Sequence, residues 1–202
     1  NWQDENRFHT PPEQTNIPNS DIFTFMYVGS ISRAAGLQCV IDAFVAANIS
    51  NAKLVFAGSG TEKENLISEC GKYSSVKIEF VDAPFQKIAE IQSQADVLIL
   101  PLLKEVSLRA VPSKLPAYLF SHKPVIACVE DDSDVADIIT RGHCGWITPP
   151  ENVECLAELM KIVSKQPQWE LRSMGENGFN FSQNNLTQKA NLKKLTNIIT
   201  NQ

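Results

Sequence analysis

A lysine in the first turn of a helix works against the helix dipole, which already places partial positive charge there. The stretch Val111–Cys128 holds such a lysine. Ser113 stands where it can cap a short helix, and Lys114 follows it directly. A bound polyanion such as a diphosphate would compensate both the dipole and the lysine charge. A solvated surface lysine is the plainer alternative.

Other stretches carry residue types suited to the same kind of ligand. In the loop from Gly29 to Gly36, glycine permits close backbone approach, and Arg33 can clamp phosphate oxygens in a bidentate manner. An ordinary turn with an exposed arginine fits equally well. The glycine spacing is not the dinucleotide fingerprint. Gly58 and Gly60 flank Ser59 like a piece of a phosphate loop, but without the Lys-Ser/Thr of the P-loop, so a tight turn is the simpler reading. Ala83 and Phe85 follow a third apolar run. Phe85 can stack on a planar base or staple the next helix to the core. The sequence favours the core for the side chain, with the backbone free to read a base edge. Glu105 can accept from sugar hydroxyls or remain solvated. His122 and Lys123 fall where a helix ends, a position that suits positive charge and reads as structural. Neither a Ser-His-Asp nor a Cys-His arrangement can be assembled.

The elements that position these residues alternate. Apolar, β-rich runs at 23–28, 53–57, 76–81, 96–100, 125–129 and 145–148 read as strands. Between them lie helical patterns, such as Val40, Ile41, Phe44 and Val45 on one face. Ser133 with its flanking aspartates, and Asn152, are placed to cap later helices, and Gly142 lies where one should stop. Pro167 breaks the helix after Asn152, another follows through Leu171 and Met174, and a last one spans about 186–200. This alternation predicts an α/β fold: a doubly wound, six-stranded parallel sheet of Rossmann-like form, with C-terminal helices. In such sheets ligands bind outside the carboxyl ends of the strands, at the switch in strand order. Residues 1–21 are polar, carry Pro11, Pro12 and Pro18, and read as a linker or arm; residues 22–202 form the domain.

Composition narrows the function classes. The 202 residues are 43% hydrophobic and 20% charged, ordinary globular values. A net charge of −5 without a basic block argues against nucleic acid as partner. The apolar runs are strand-sized rather than membrane-spanning. Five scattered cysteines read as reduced, buried thiols, which favours the cytoplasm. The three histidines form no metal-binding pattern, so no metal and no cofactor is expected.

Five segments in order, 27–37, 54–60, 95–101, 112–119 and 123–127, resemble the C-terminal half of a retaining GT-B glycosyltransferase of family 4. Within it, the chain is most similar to bacterial surface-polysaccharide enzymes, including N-acetylfucosaminyl-transferase-like members. The resemblance covers residues 23–200. The first eight residues resemble the segment that leaves the N-terminal domain of such enzymes.

The resemblance implies a domain that binds a nucleoside-diphosphate sugar as donor substrate, with a glycan or lipid-linked acceptor and a missing N-terminal domain as partners. Arg33 and Lys114 would be the catalytic cations, aided by helix amides near Ser113. Gly29, Ser30, Gly58, Gly60, Ala83, Phe85, Glu105, Pro112 and Ser113 would line the donor site. The enzyme would act in the cytoplasm, docking peripherally at the inner face of the membrane in full-length form, and this chain alone would bind nucleotide without transferring sugar. Two departures stand out. Ser30 and Ala35 occupy positions where the family carries an arginine and a lysine. Ala117 stands where its ribose-binding glutamate falls, with Arg109 at the position of the partner glutamate. These departures support an alternative: a non-catalytic nucleotide-sugar-binding or protein-interaction domain of the same fold.

Overall fold

All six residues of strand β1 (Phe23–Val28) are buried, as a strand covered on both faces requires. The computed structural model of the chain describes residues 22–107 and 111–187. Within these, β1 is joined by β2 (Ala52–Ala57), β3 (Lys77–Val81), β4 (Val97–Pro101), β5 (Val125–Cys128) and β6 (Gly145–Thr148). The order across the sheet is β3-β2-β1-β4-β5-β6, and every pairing is parallel. The expected doubly wound, six-stranded Rossmann-like sheet is therefore present.

Side chains leave the strands with a period of two, so the sheet has two cores. On one face Phe25, Tyr27, Leu54, Phe56, Val97 and Ile99 meet helices α1 (Leu37–Ala47) and α7 (Val153–Val163). On the other, Met26, Val28, Val55, Leu98, Leu100 and Ala127 meet α3 (Ile88–Ser93), α5 (Lys114–Phe120) and α6 (Asp134–Gly142). The short helices α2 (Lys63–Cys70) and α4 (Lys104–Ser107) complete the connections. Ser133 caps α6 by accepting from the Ala136 amide, and Asn152 caps α7 by accepting from that of Cys155. β3 is the half-exposed edge strand. Its Glu79 pairs with Lys53 and Lys77 at 3.0 and 3.1 Å, and such charges discourage edge-to-edge pairing.

The C-terminal helices differ from expectation. One helix, α8 (Gln168–Asn185), runs without a break past Met174 and packs against α5 and α6. Its glycines make the close approach possible: a Cβ on Gly175 would overlap the His122 carbonyl. The expected arm at 1–21 and most of the last helix expected at 186–200 lie outside the described residues. The cysteines are free, as expected, but only Cys128 and Cys144 are buried, and Cys155 is exposed.

Candidate functional site

The strand order reverses between β1 and β4, and the two strands part there. β1 pairs with β2 along its whole length, but with β4 only at Phe25 and Met26. The switch in strand order therefore lies between β1 and β4, and the carboxyl ends of the strands at such a switch are where α/β sheets bind ligands.

Lys114 reaches this strand end from α5. Its side chain crosses so close to Gly29 that a Cβ on residue 29 would overlap Lys114 Cε. The ammonium stands 5.2 Å from the centre of the Tyr27 ring, a cation–π arrangement. Lys114 is half-buried, and no carboxylate among the described residues lies within ion-pair distance of it. Burial lowers its pKa from the usual lysine value. The result is a partly desolvated cation without a counter-charge among the described residues.

The loop after β1 packs on the loop after β2. A Cβ on Gly58 would overlap the Gly29 carbonyl, and one on Gly60 would overlap that of Ile31. Both positions have φ near +150°, which disfavours other residues as well. The amides are shared across the strand ends: Gly29 donates to Ala57, Gly58 to Val81 and Ile31 to Ser59. Gly29, Ser30, Gly58, Gly60 and Lys114 thus form one surface.

The remaining candidates sit around it. Arg33 is exposed on a single turn, Arg33–Ala35, and makes no ion pair with a described residue. Ala83 is half-buried against α3, after the end of β3. Glu105 is exposed on α4, beyond β4. No hydrogen bond or ion pair among the described residues ties Arg33 or Glu105 to Lys114.

Two expectations are corrected. Phe85 is 60% exposed, so its ring is not a core staple. Ser113 has helical backbone and makes no capping hydrogen bond with its side chain. Of the helix amides near Ser113, that of Leu115 already donates to the Pro112 carbonyl at 3.0 Å, and Pro116 has no N–H.

Two residues that the sequence did not single out belong to the site. Tyr118, 1% exposed on α5, donates its hydroxyl to the Val28 carbonyl and accepts from the Val28 amide, both at 2.9 Å. Tyr27 donates its hydroxyl to the Ser30 carbonyl at 2.7 Å. Burial raises the Tyr27 phenol to about 12 and that of Tyr118 further, so both stay protonated donors. The available signal was that two of only three tyrosines fall next to the glycine loop and in the lysine helix. Ala117, 6% exposed, packs with Phe120, Ala89 and Phe179 in a small apolar cluster. His122 stacks on Phe179 at 3.9 Å, with Nδ1 2.8 Å from Glu176, in keeping with a structural role.

Comparison with known proteins places this geometry. Residues 22–166 match the family model described as glycosyl transferases group 1. The chain belongs to that family. It is 24% identical over 205 residues to WbjE of Pseudomonas aeruginosa, described as a probable glycosyltransferase. The match takes in 96% of this chain and 49% of that protein, so this group 1 domain spans about half the length of its relative. Among solved structures, sucrose-phosphate synthase from Thermosynechococcus elongatus matches 99% of the chain and 51% of its own, at TM-score 0.78 and 18% identity. The C-terminal domain of the group 1 protein LpcC from Francisella tularensis matches 82% of the chain and 87% of its own, at TM-score 0.67 and 15% identity. Anabaena HepE, solved with UDP and glucose, matches 91% of the chain and 51% of its own, at TM-score 0.68 and 17% identity. The fold is that of a Rossmann-like GT-B domain. No described helix is long and apolar enough to cross a membrane, and no described cluster of three His, Cys, Asp or Glu could hold a metal ion.

Proposed function

We propose that this chain is the donor-binding, C-terminal half of a retaining glycosyltransferase of family 4. The observation that carries this reading is Lys114: a half-buried cation with no acidic partner among the described residues, laid over Gly29 at the strand-order switch. A nucleoside diphosphate supplies the missing negative charge. The base would lie toward Ala83 and Phe85, beyond β3, and the sugar toward Glu105, beyond β4.

The full-length enzyme would move a sugar from a nucleoside-diphosphate donor to a polysaccharide or lipid-linked acceptor. The bond from the anomeric carbon to the diphosphate breaks, and a bond to an acceptor oxygen forms on the same face. Negative charge grows on the departing diphosphate, where the Lys114 ammonium stands ready to stabilise it without reorganisation. Arg33, on the exposed turn after the glycine loop, would add a second cation as the diphosphate settles. An N-terminal domain would bring the acceptor, at the inner face of the membrane, so this chain alone binds donor and transfers nothing. The surface-polysaccharide, N-acetylfucosaminyl-transferase-like assignment rests on the sequence resemblance.

One observation favours a non-catalytic relative. Ala117 is buried among apolar side chains and offers no carboxylate to a ribose. Titration calorimetry of the chain with UDP, GDP and their sugars separates the readings. Nucleoside-diphosphate binding supports the donor domain; no binding at millimolar concentration supports an interaction module.

A further inference from the structure

Parallel strands expose backbone groups alternately to either neighbour. In β1, the amides of Phe23 and Gly29 donate toward β2, to Asn51 and Ala57. The groups of Thr24, Met26 and Val28 therefore face β4. At Thr24 the Asp96 carboxylate accepts the amide, and the Asp96 amide returns a bond to the Thr24 carbonyl. At Met26, β4 itself is the partner. At Val28 the strand partner is replaced by one phenol oxygen, that of Tyr118, which takes the amide and satisfies the carbonyl together. Because both groups are satisfied, β1 and β4 need not close on each other at this level. At Val28 a buried hydroxyl stands in for the neighbouring strand.

The next residues continue the arrangement. Tyr27 points to the opposite face of the sheet from Val28 and packs beside Phe56, with ring centres 6.2 Å apart. Its hydroxyl binds the Ser30 carbonyl, so the chain turns sharply around Gly29. Lys114 passes over Gly29 and ends above the Tyr27 ring. One tyrosine fixes the residue before the glycine, and the other fixes the residue after it and the lysine as well.

We propose that Tyr118 and Tyr27 are positioning residues for Lys114. Tyr118 acts as a one-residue strand surrogate that fixes the end of β1 at Val28, next to Gly29, and Tyr27 provides the platform that sets where the ammonium stands. This deepens the donor-binding reading and rests on it for its consequence, the capture of a diphosphate. The placement of the lysine is a separate matter and can be tested without any ligand.

The test uses the 202-residue chain, its Tyr27→Phe, Tyr27→Leu and Tyr118→Phe variants, and NMR of Lys-labelled protein to follow the Lys114 side chain through its titration. Leucine keeps the site apolar but removes the π face, so the Lys114 midpoint falls further in Tyr27→Leu. Tyr27→Phe, which keeps the ring, leaves it near wild type. In Tyr118→Phe the Val28 amide exchanges with solvent at least about tenfold faster, since its only acceptor is gone. UDP and GDP are then titrated beside uridine and guanosine. The diphosphate that binds wild type should weaken about tenfold in Tyr27→Leu, with its nucleoside unchanged. A Lys114 titration that ignores the loss of the Tyr27 ring overturns the inference, even if nucleotide binds. A wild-type chain that binds neither diphosphate overturns the donor-binding reading, while the titration still decides the placement. Should Tyr118→Phe fail to fold, the Tyr27 pair decides the outcome alone.

Discussion

Lys114 Cε lies against Gly29 so closely that residue 29 has no room for a side chain. The two residues are 85 positions apart, yet each defines what the other can be. Gly29→Ala must push the lysine off its path and also strains a backbone held at φ +154°. We expect a stability loss of about 1–3 kcal/mol from the backbone, and diphosphate affinity lowered by roughly tenfold or more from the displaced charge. Thermal unfolding and calorimetry read the two effects separately. Unchanged affinity would mean that the ammonium does not touch the ligand.

A half-buried charge without a described ion-pair partner costs the fold desolvation energy. Lys114→Met keeps the length of the side chain and removes the charge. Its unfolding midpoint should equal or exceed that of wild type, because the desolvation of the cation is relieved. Its nucleoside-diphosphate affinity should fall by about 10- to 100-fold, the range of a lost charge-assisted hydrogen bond. A loss of both stability and affinity would instead mark Lys114 as a structural residue.

The depressed pKa of Lys114 gives a signed pH dependence. The folded chain holds this proton less tightly than the unfolded chain does. The contribution to stability therefore rises with pH between the folded and the unfolded lysine values, and falls away as pH drops through the folded value. Binding has the opposite sign, since a diphosphate requires the ammonium. Affinity should decline as pH climbs through the folded value of Lys114, and binding on the alkaline side should take up a proton. Calorimetry at pH 9 in buffers of different ionisation enthalpy measures that uptake, and Lys114→Met should abolish it.

The thiols separate by environment. Burial pushes Cys39 and Cys70 up to about 11 and Cys144 to about 12, and Cys128 is pushed higher still. Cys155 is exposed on α7. At pH 8 an alkylating reagent should modify Cys155 first and leave the other four largely intact until the chain unfolds. Mass mapping of the modified residues over time reads this order directly. Prompt alkylation of Cys128 would contradict the packing described for β5.

Much of this was legible in the sequence because it depends on local pattern. The six strands match the expected runs to within a residue or two, and the four inner ones are apolar almost throughout, as strands buried on both faces must be. Ser133 and Asn152 cap as their residue types suggest. Lys114 was visible as a charge in the wrong turn of a helix. What was hidden depends on long-range packing. Tyr118 reaches Val28 across 90 positions, and no periodicity reports where a hydroxyl will find its partners. Pro116 was present in the sequence, but the bond from Leu115 to Pro112, which occupies one amide near Ser113, becomes apparent only in the fold. α8 was read only through Leu171 and Met174; Gly175 and Gly178, just beyond, allow the close contact with His122 and Leu119 that only the fold reveals.

The account turns on whether the Lys114 ammonium receives a diphosphate. The direct measurement is the ratio of affinities for nucleoside diphosphate and matching nucleoside, in wild type and in Lys114→Ala, by titration calorimetry at neutral pH. The account predicts that wild type prefers the diphosphate by at least about tenfold and that Lys114→Ala loses most of this preference while binding the nucleoside as before. Equal ratios in the two proteins would contradict it.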